Sequence, residues 1–66
     1  MNVASNDLMK DDLIPFIHPD DTFDLLIIGC VEWQEDQVMV TGLSARFGMS
    51  AVAYAPFNQL VEVWNA

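Results

Sequence analysis

A chain of 66 residues has room for one domain, and a domain of this size buries only about 60% of the surface its unfolded chain exposes. Ten Asp and Glu against two Lys and Arg leave a net charge of −8, which repels phosphate and excludes direct nucleic-acid binding by charge neutralisation. Hydrophobic residues make up 53% of the chain, enough to drive collapse despite the charge, so disorder is excluded as well.

Met1 to Ser5 lacks the basic start and apolar run of a signal or transit peptide. Ser5 and Asn6 suit a helix N-cap, Asp7 suits a first turn, and Leu8, Met9, Leu13, Phe16 and Ile17 recur at helical spacing, which predicts a helix over residues 6–17. Pro15 ends that helix, kinks it, or restarts it as a second short piece. His18 to Asp21 reads as a polar connection. Thr22 to Trp33 then reads as a long, largely buried central strand; its seven-residue apolar core, Leu25 to Val31, is far too short to cross a membrane. Trp33 to Gln37 forms a charged turn without Asn-Gly chemistry, which predicts a loop of about three to five residues. Gln37 to Leu43 returns as a strand with Val38 and Val40 on one face and Met39 on the other. After a loop at Ser44 to Gly48, Met49 to Ala55 makes a third strand, and Gln59 to Trp64 alternates as a fourth. The expected fold is therefore one α+β domain over residues 1–66, with one or two short N-terminal helical pieces packed on a four-stranded antiparallel sheet.

The sequence offers little for catalysis: one His, one Cys, one Lys and one Arg, in no recognised spacing, so no enzyme is expected. His18 beside Asp20 and Asp21 lacks the ligand number and offsets of a metal site, and no cofactor motif is present. A single cysteine cannot form an internal disulfide, which favours a reducing cytoplasmic setting, and Cys30 in an apolar strand reads as an inert core thiol. Asp7 and Asp11 fall one turn apart on the expected helix, about 6 Å along its axis, with Asp12 adjacent and Asp20 and Asp21 in the next loop. Carboxylates in such a row match the spacing of phosphates and suit Arg, Lys and N–H sites built for a nucleic-acid backbone. An ordinary solvated helix face, or charge serving solubility alone, accounts for the same spacing. Leu8, Leu13, Phe16 and Ile17 with Ile27, Met39 and Val52 line either a plain core or a groove between helix and sheet.

Ser5, Asp11-Asp12-Leu13, Phe16-Ile17, Asp24-Leu25-Leu26-Ile27, the Val38-Met39 pair after an acidic turn, and Ala51-Val52-Ala53 follow one another in an order that resembles the phage uracil-DNA glycosylase inhibitors. Those are small acidic DNA mimics with N-terminal helices on an antiparallel sheet. The likeness covers about residues 5–55, with Ala4 and Pro15 standing where the family carries acids. The resemblance implies that Asp11 and Asp12 act as phosphate mimics, with Ser5 at the start of the interacting segment and Asp7 in place of the acid missing at Ala4; Asp20 and Asp21, read from their place in the next loop, complete the expected partner surface. It also implies that Leu8, Leu13, Phe16, Ile17, Ile27 and Met39 line a pocket for a leucine that the glycosylase normally inserts into DNA. The expected partner is then a DNA-binding enzyme with a basic groove, bound by a monomer in a 1:1 complex in the host cytoplasm. Two alternatives stay open: a phage inhibitor of another nucleic-acid enzyme, such as a CRISPR effector or nuclease, and an oligomeric or antitoxin-like subunit whose exposed strands pair with a copy or a cognate toxin.

Overall fold

The structure, a computed structural model, describes residues 1–64. Six strands follow in the order β1 (Asn2–Ala4), β2 (Leu13–Ile17), β3 (Phe23–Trp33), β4 (Gln37–Ser44), β5 (Ser50–Pro56) and β6 (Leu60–Glu62), with one turn of 3-10 helix at Ser5–Asp7. β2-β3-β4-β5 form an antiparallel sheet, and β1 pairs with β6 in a separate two-stranded ladder. Among the described residues no helix is long and apolar enough to cross a membrane.

The four-stranded sheet is bent where β3 carries a bulge between Ile28 and Cys30, opposite Gly42 of β4. A Cβ on Gly42 would strike the Ile27 carbonyl, so only glycine lets β3 and β4 approach so closely there. The bend brings β6 against β2, where the Trp64 N–H donates to Leu13 O at 2.9 Å. On the concave side Ile14, Leu26, Ile28, Val38 and Val40 are buried together with Leu8 and Val63 from the chain ends. Burying each such aliphatic side chain contributes about 1.5–3 kcal/mol, which is how so small a chain acquires a core. The ends are tied: Val63 N–H donates to Met1 O at 2.7 Å, and buried Ser5 donates its hydroxyl to Pro56 O at 2.6 Å.

The strands over 22–33, 37–43 and 49–55 stand where the sequence put them, with Val38 and Val40 buried and a three-residue turn between β3 and β4. The α+β expectation is overturned: among the described residues no helix covers the sheet. The segment expected as a helix over 6–17 is a 3-10 turn, a loop and an edge strand. Asp11 has φ +74°, which breaks any helix, and Leu13 to Ile17 alternates across the sheet, with Ile14 facing the core and Leu13 and Ile17 facing away. Pro15 fits because its missing N–H lies on the outer edge of an edge strand. Ser5 makes no side-chain cap. The fourth strand of the sheet is β2, while the segment near Leu60 joins β1 instead. Cys30, expected in the core, is exposed, because the bulge turns it to the outer face beside Thr41.

Candidate functional site

At the end of the sheet where the β2–β3 turn meets the β4–β5 loop, one carboxylate gathers four donors. Asp24, buried at the start of β3, accepts Leu25 N–H at 2.6 Å and Arg46 N–H at 3.0 Å on Oδ1. On Oδ2 it accepts the Ser44 hydroxyl and lies 2.7 Å from His18 Nε2. Burial pushes the Asp24 carboxyl up, but the bonds from Ser44, His18, Leu25 and Arg46 together outweigh it and hold the group well below the usual carboxylate range. An ionised carboxylate only accepts, so His18 Nε2 carries the proton. His18 is fixed edge-on between Phe16 and Phe47, with ring centroids at 4.9 and 5.2 Å. Ser44 also accepts Phe47 N–H at 3.0 Å. Serine and histidine both point at the aspartate rather than at each other, so the cluster is a clasp joining β2, β3, β4 and the following loop, without the serine–histidine bond that activates a nucleophile.

The clasp forms the floor of a recess of about 350 Å³, the lower end of the range for ligand sites, roughly 300–1,000 Å³. Phe16, Phe47, Met49 and Ala51 make its walls apolar, and Asp20 stands in its lining. Asp20 accepts Thr22 N–H at 3.1 Å; its bonds to Thr22 lower its pKa and keep it ionised. Asp21 follows at φ +68°, completing a tight exposed turn with two acids. Such a recess can seat one apolar side chain while a cation beside it meets Asp20.

The residues singled out in the sequence divide among three places. Asp20 and Phe16 line the recess, and Asp21 follows Asp20 in the exposed turn. Asp11 and Asp12 lie at the other end of β2, where Asp11 N–H donates to Ile28 O at 2.8 Å, and Asp7 lies on the 3-10 turn; these acids form no single row. Leu8 is core, and Ser5 is fully buried. Leu13, Ile17, Ile27, Met39 and Val52 share the convex face of the sheet, opposite to Leu8 and Phe16, as the register Leu13–Ile27–Leu43 and Met39–Tyr54 requires. That face also exposes Phe23, Leu43 and Tyr54 and is bordered by Trp64, whose ring lies 5.7 Å from that of Phe23. This is a concentration of apolar surface on one face of a small acidic protein. Among the described residues no cluster of three or more His, Cys, Asp or Glu could hold a metal ion.

No family model, curated protein or solved structure matches this chain.

The clasp itself is not anticipated in the sequence, where His18 reads as part of a polar connection and Asp24 enters only with the Asp24-Leu25-Leu26-Ile27 stretch of the resemblance. The available signal was an aspartate set directly before Leu25-Leu26-Ile27-Ile28: a charge leading a buried strand must bring its hydrogen-bond donors with it.

Proposed function

We propose that the protein is a non-catalytic inhibitor of a DNA-binding enzyme, with uracil-DNA glycosylase as the first target, one enzyme molecule being held per chain in the host cytoplasm. The observation that carries this reading is the apolar recess with Asp20 in its lining. A protein that grips DNA presents cationic donors for phosphates and often an apolar side chain that wedges between bases. Exposed acids beside an apolar recess complement both features at once. The Asp11-Asp12 and Asp20-Asp21 pairs flank β2, whose five residues separate them by roughly 17 Å, the span of a few phosphates along one strand. The charge of −8 draws such a partner in from a distance and makes the association salt-dependent. The choice of glycosylase comes from the sequence resemblance; the recess and the apolar convex face support a protein partner of this chemistry more broadly.

The test is direct. Purified protein is mixed with uracil-DNA glycosylase and uracil-containing DNA, and excised uracil is measured. Inhibition that saturates near one equivalent is expected. Full product release at several-fold molar excess overturns the assignment.

A further inference from the structure

The two edges of the main sheet are finished differently. On β2, Leu13 O is taken by the Trp64 N–H and Pro15 has no N–H to offer, so that edge is blunted. On β5 the hairpin bond from Ser44 N–H to Met49 O, at 2.8 Å, sets the alternation of the ladder. With Gly42 opposite Ala51, Val40 opposite Ala53 and Val38 opposite Ala55, the three alanines bond inward to β4. The N–H and C=O groups of Val52 and Tyr54 therefore point outward, and no hydrogen bond to them is found among the described residues. No charge, bulge or proline guards the middle of this edge; Pro56 closes only its end.

Charge singles out the same place. All ten acids lie between Asp7 and Asp36 or at Glu62, and from Gln37 to Val61 the one charged side chain is Arg46. A protein of charge −8 repels its own copies least through this stretch of chain, with Asp20 approaching β5 across the recess at its Ser50–Ala51 end.

We infer that β5 pairs antiparallel with β5 of a second copy, about a two-fold axis at Ala53. Val52 of each copy then faces Tyr54 of the other, and their outward N–H and C=O groups exchange four hydrogen bonds. The central non-hydrogen-bonded pair, where backbones approach to about 4.5 Å, is alanine against alanine. Val52 and Tyr54, both exposed on the convex face, add two pairs of a β-branched and an aromatic side chain across the junction. The result is an eight-stranded sheet whose two convex faces merge, with β2 of each copy at its outer edges. A second copy suits this edge better than a basic foreign strand, which the field draws to the acidic half instead. The pairing does not rest on the inhibitor reading, and either can fail alone.

Light scattering after size exclusion, run over a concentration series, should show a mass approaching twice the 7.4 kDa of the chain, with dimerisation strengthened by added salt as the repulsion between copies is screened. Val52→Pro deletes an outward N–H without touching the ladder to β4; it removes two of the four hydrogen bonds and should weaken the dimer roughly 30-fold while circular dichroism remains that of the wild type. Hydrogen exchange of the wild-type protein gives a reading that needs no variant: the Val52 and Tyr54 amides should gain protection as concentration rises. A single-chain mass at millimolar concentration overturns the inference. So does a dimer that Val52→Pro leaves unchanged, or one in which those two amides exchange as fast as in dilute protein.

Discussion

Gly42→Ala tests the bend on which the whole arrangement depends. A methyl at this position would land on the Ile27 carbonyl oxygen, with its carbon at 2.9 Å and the Ile28 Cα at 3.2 Å. These are backbone atoms of the neighbouring strand and cannot rotate aside as a side chain does, so β3 and β4 must part where the bulge sits. Overpacking costs about 1–3 kcal/mol, and a contact with immovable backbone belongs at the upper end, about 3 kcal/mol. A 66-residue domain has only about 3–10 kcal/mol to lose, at about 0.05–0.15 kcal/mol per residue. Urea unfolding followed by tryptophan fluorescence measures the change, with two glycines as internal references. Gly48→Ala meets no atom within 4 Å, but its φ of +67° should cost roughly 1–2 kcal/mol. Gly29→Ala meets nothing nearer than Thr41 O at 3.5 Å and should be close to neutral. The expected order of loss is Gly42, then Gly48, then Gly29. A Gly42→Ala midpoint equal to that of Gly29→Ala would refute the account of the bend.

Three further outcomes follow from the site. The Asp24 carboxyl sits below its ordinary value of 3.8 when folded, so the stability it contributes is fully present above that pH and is lost as pH falls beneath it; urea midpoints should drop steeply in acid, and Asp24→Asn, less stable at neutral pH, should show a shallower drop. Asp20→Lys with Asp21→Lys should slow association with a glycosylase and reduce its salt dependence, and the same exchange at Asp11 and Asp12 should do so through charge alone; unchanged stopped-flow rates in both pairs would remove the phosphate-mimic argument. Ala51→Phe, which fills the recess from β5, should raise the inhibition constant at least tenfold with the dissociation rate carrying most of the change, whereas equal inhibition by the filled variant would mean that the partner inserts nothing there.

The central half of the fold was legible because period-two alternation leaves little choice. Val38 and Val40 against Met39, with a charged turn before them, specify a strand and its face, and the structure places them so. The N-terminal third was misread because Leu8, Met9, Leu13, Phe16 and Ile17 satisfy a helical period, while Leu13 to Ile17 satisfies a strand period equally well. The tie is broken by Asp11 at φ +74° and by Pro15, which is costly inside a helix and harmless on a sheet edge. A proline in the middle of a short apolar run thus argued for an edge strand, and weighing it so would have removed the helix.

The same misreading explains why neither the acidic row nor the groove between helix and sheet is found. Spacing Asp7 and Asp11 one turn apart presupposed a helix; in the structure Asp7 stands on the 3-10 turn, Asp11 and Asp12 directly precede β2, and Asp20 and Asp21 follow it. The apolar set presupposed Leu8, Leu13, Phe16 and Ile17 on a helix facing Ile27, Met39 and Val52 on the sheet, whereas strand register puts Leu13, Ile17, Ile27, Met39 and Val52 on one face of the sheet and Leu8 and Phe16 on the other. Among the described residues no helix covers them, so Ile17, Ile27 and Val52 are exposed on the convex face with Leu13 and Met39 half-buried beside them, and the recess forms where two loops meet the sheet end. Charge and apolar surface therefore meet at the Asp20-Asp21 turn, which makes that turn, rather than residues 7–12, the place where a partner's cation and apolar side chain can be met together.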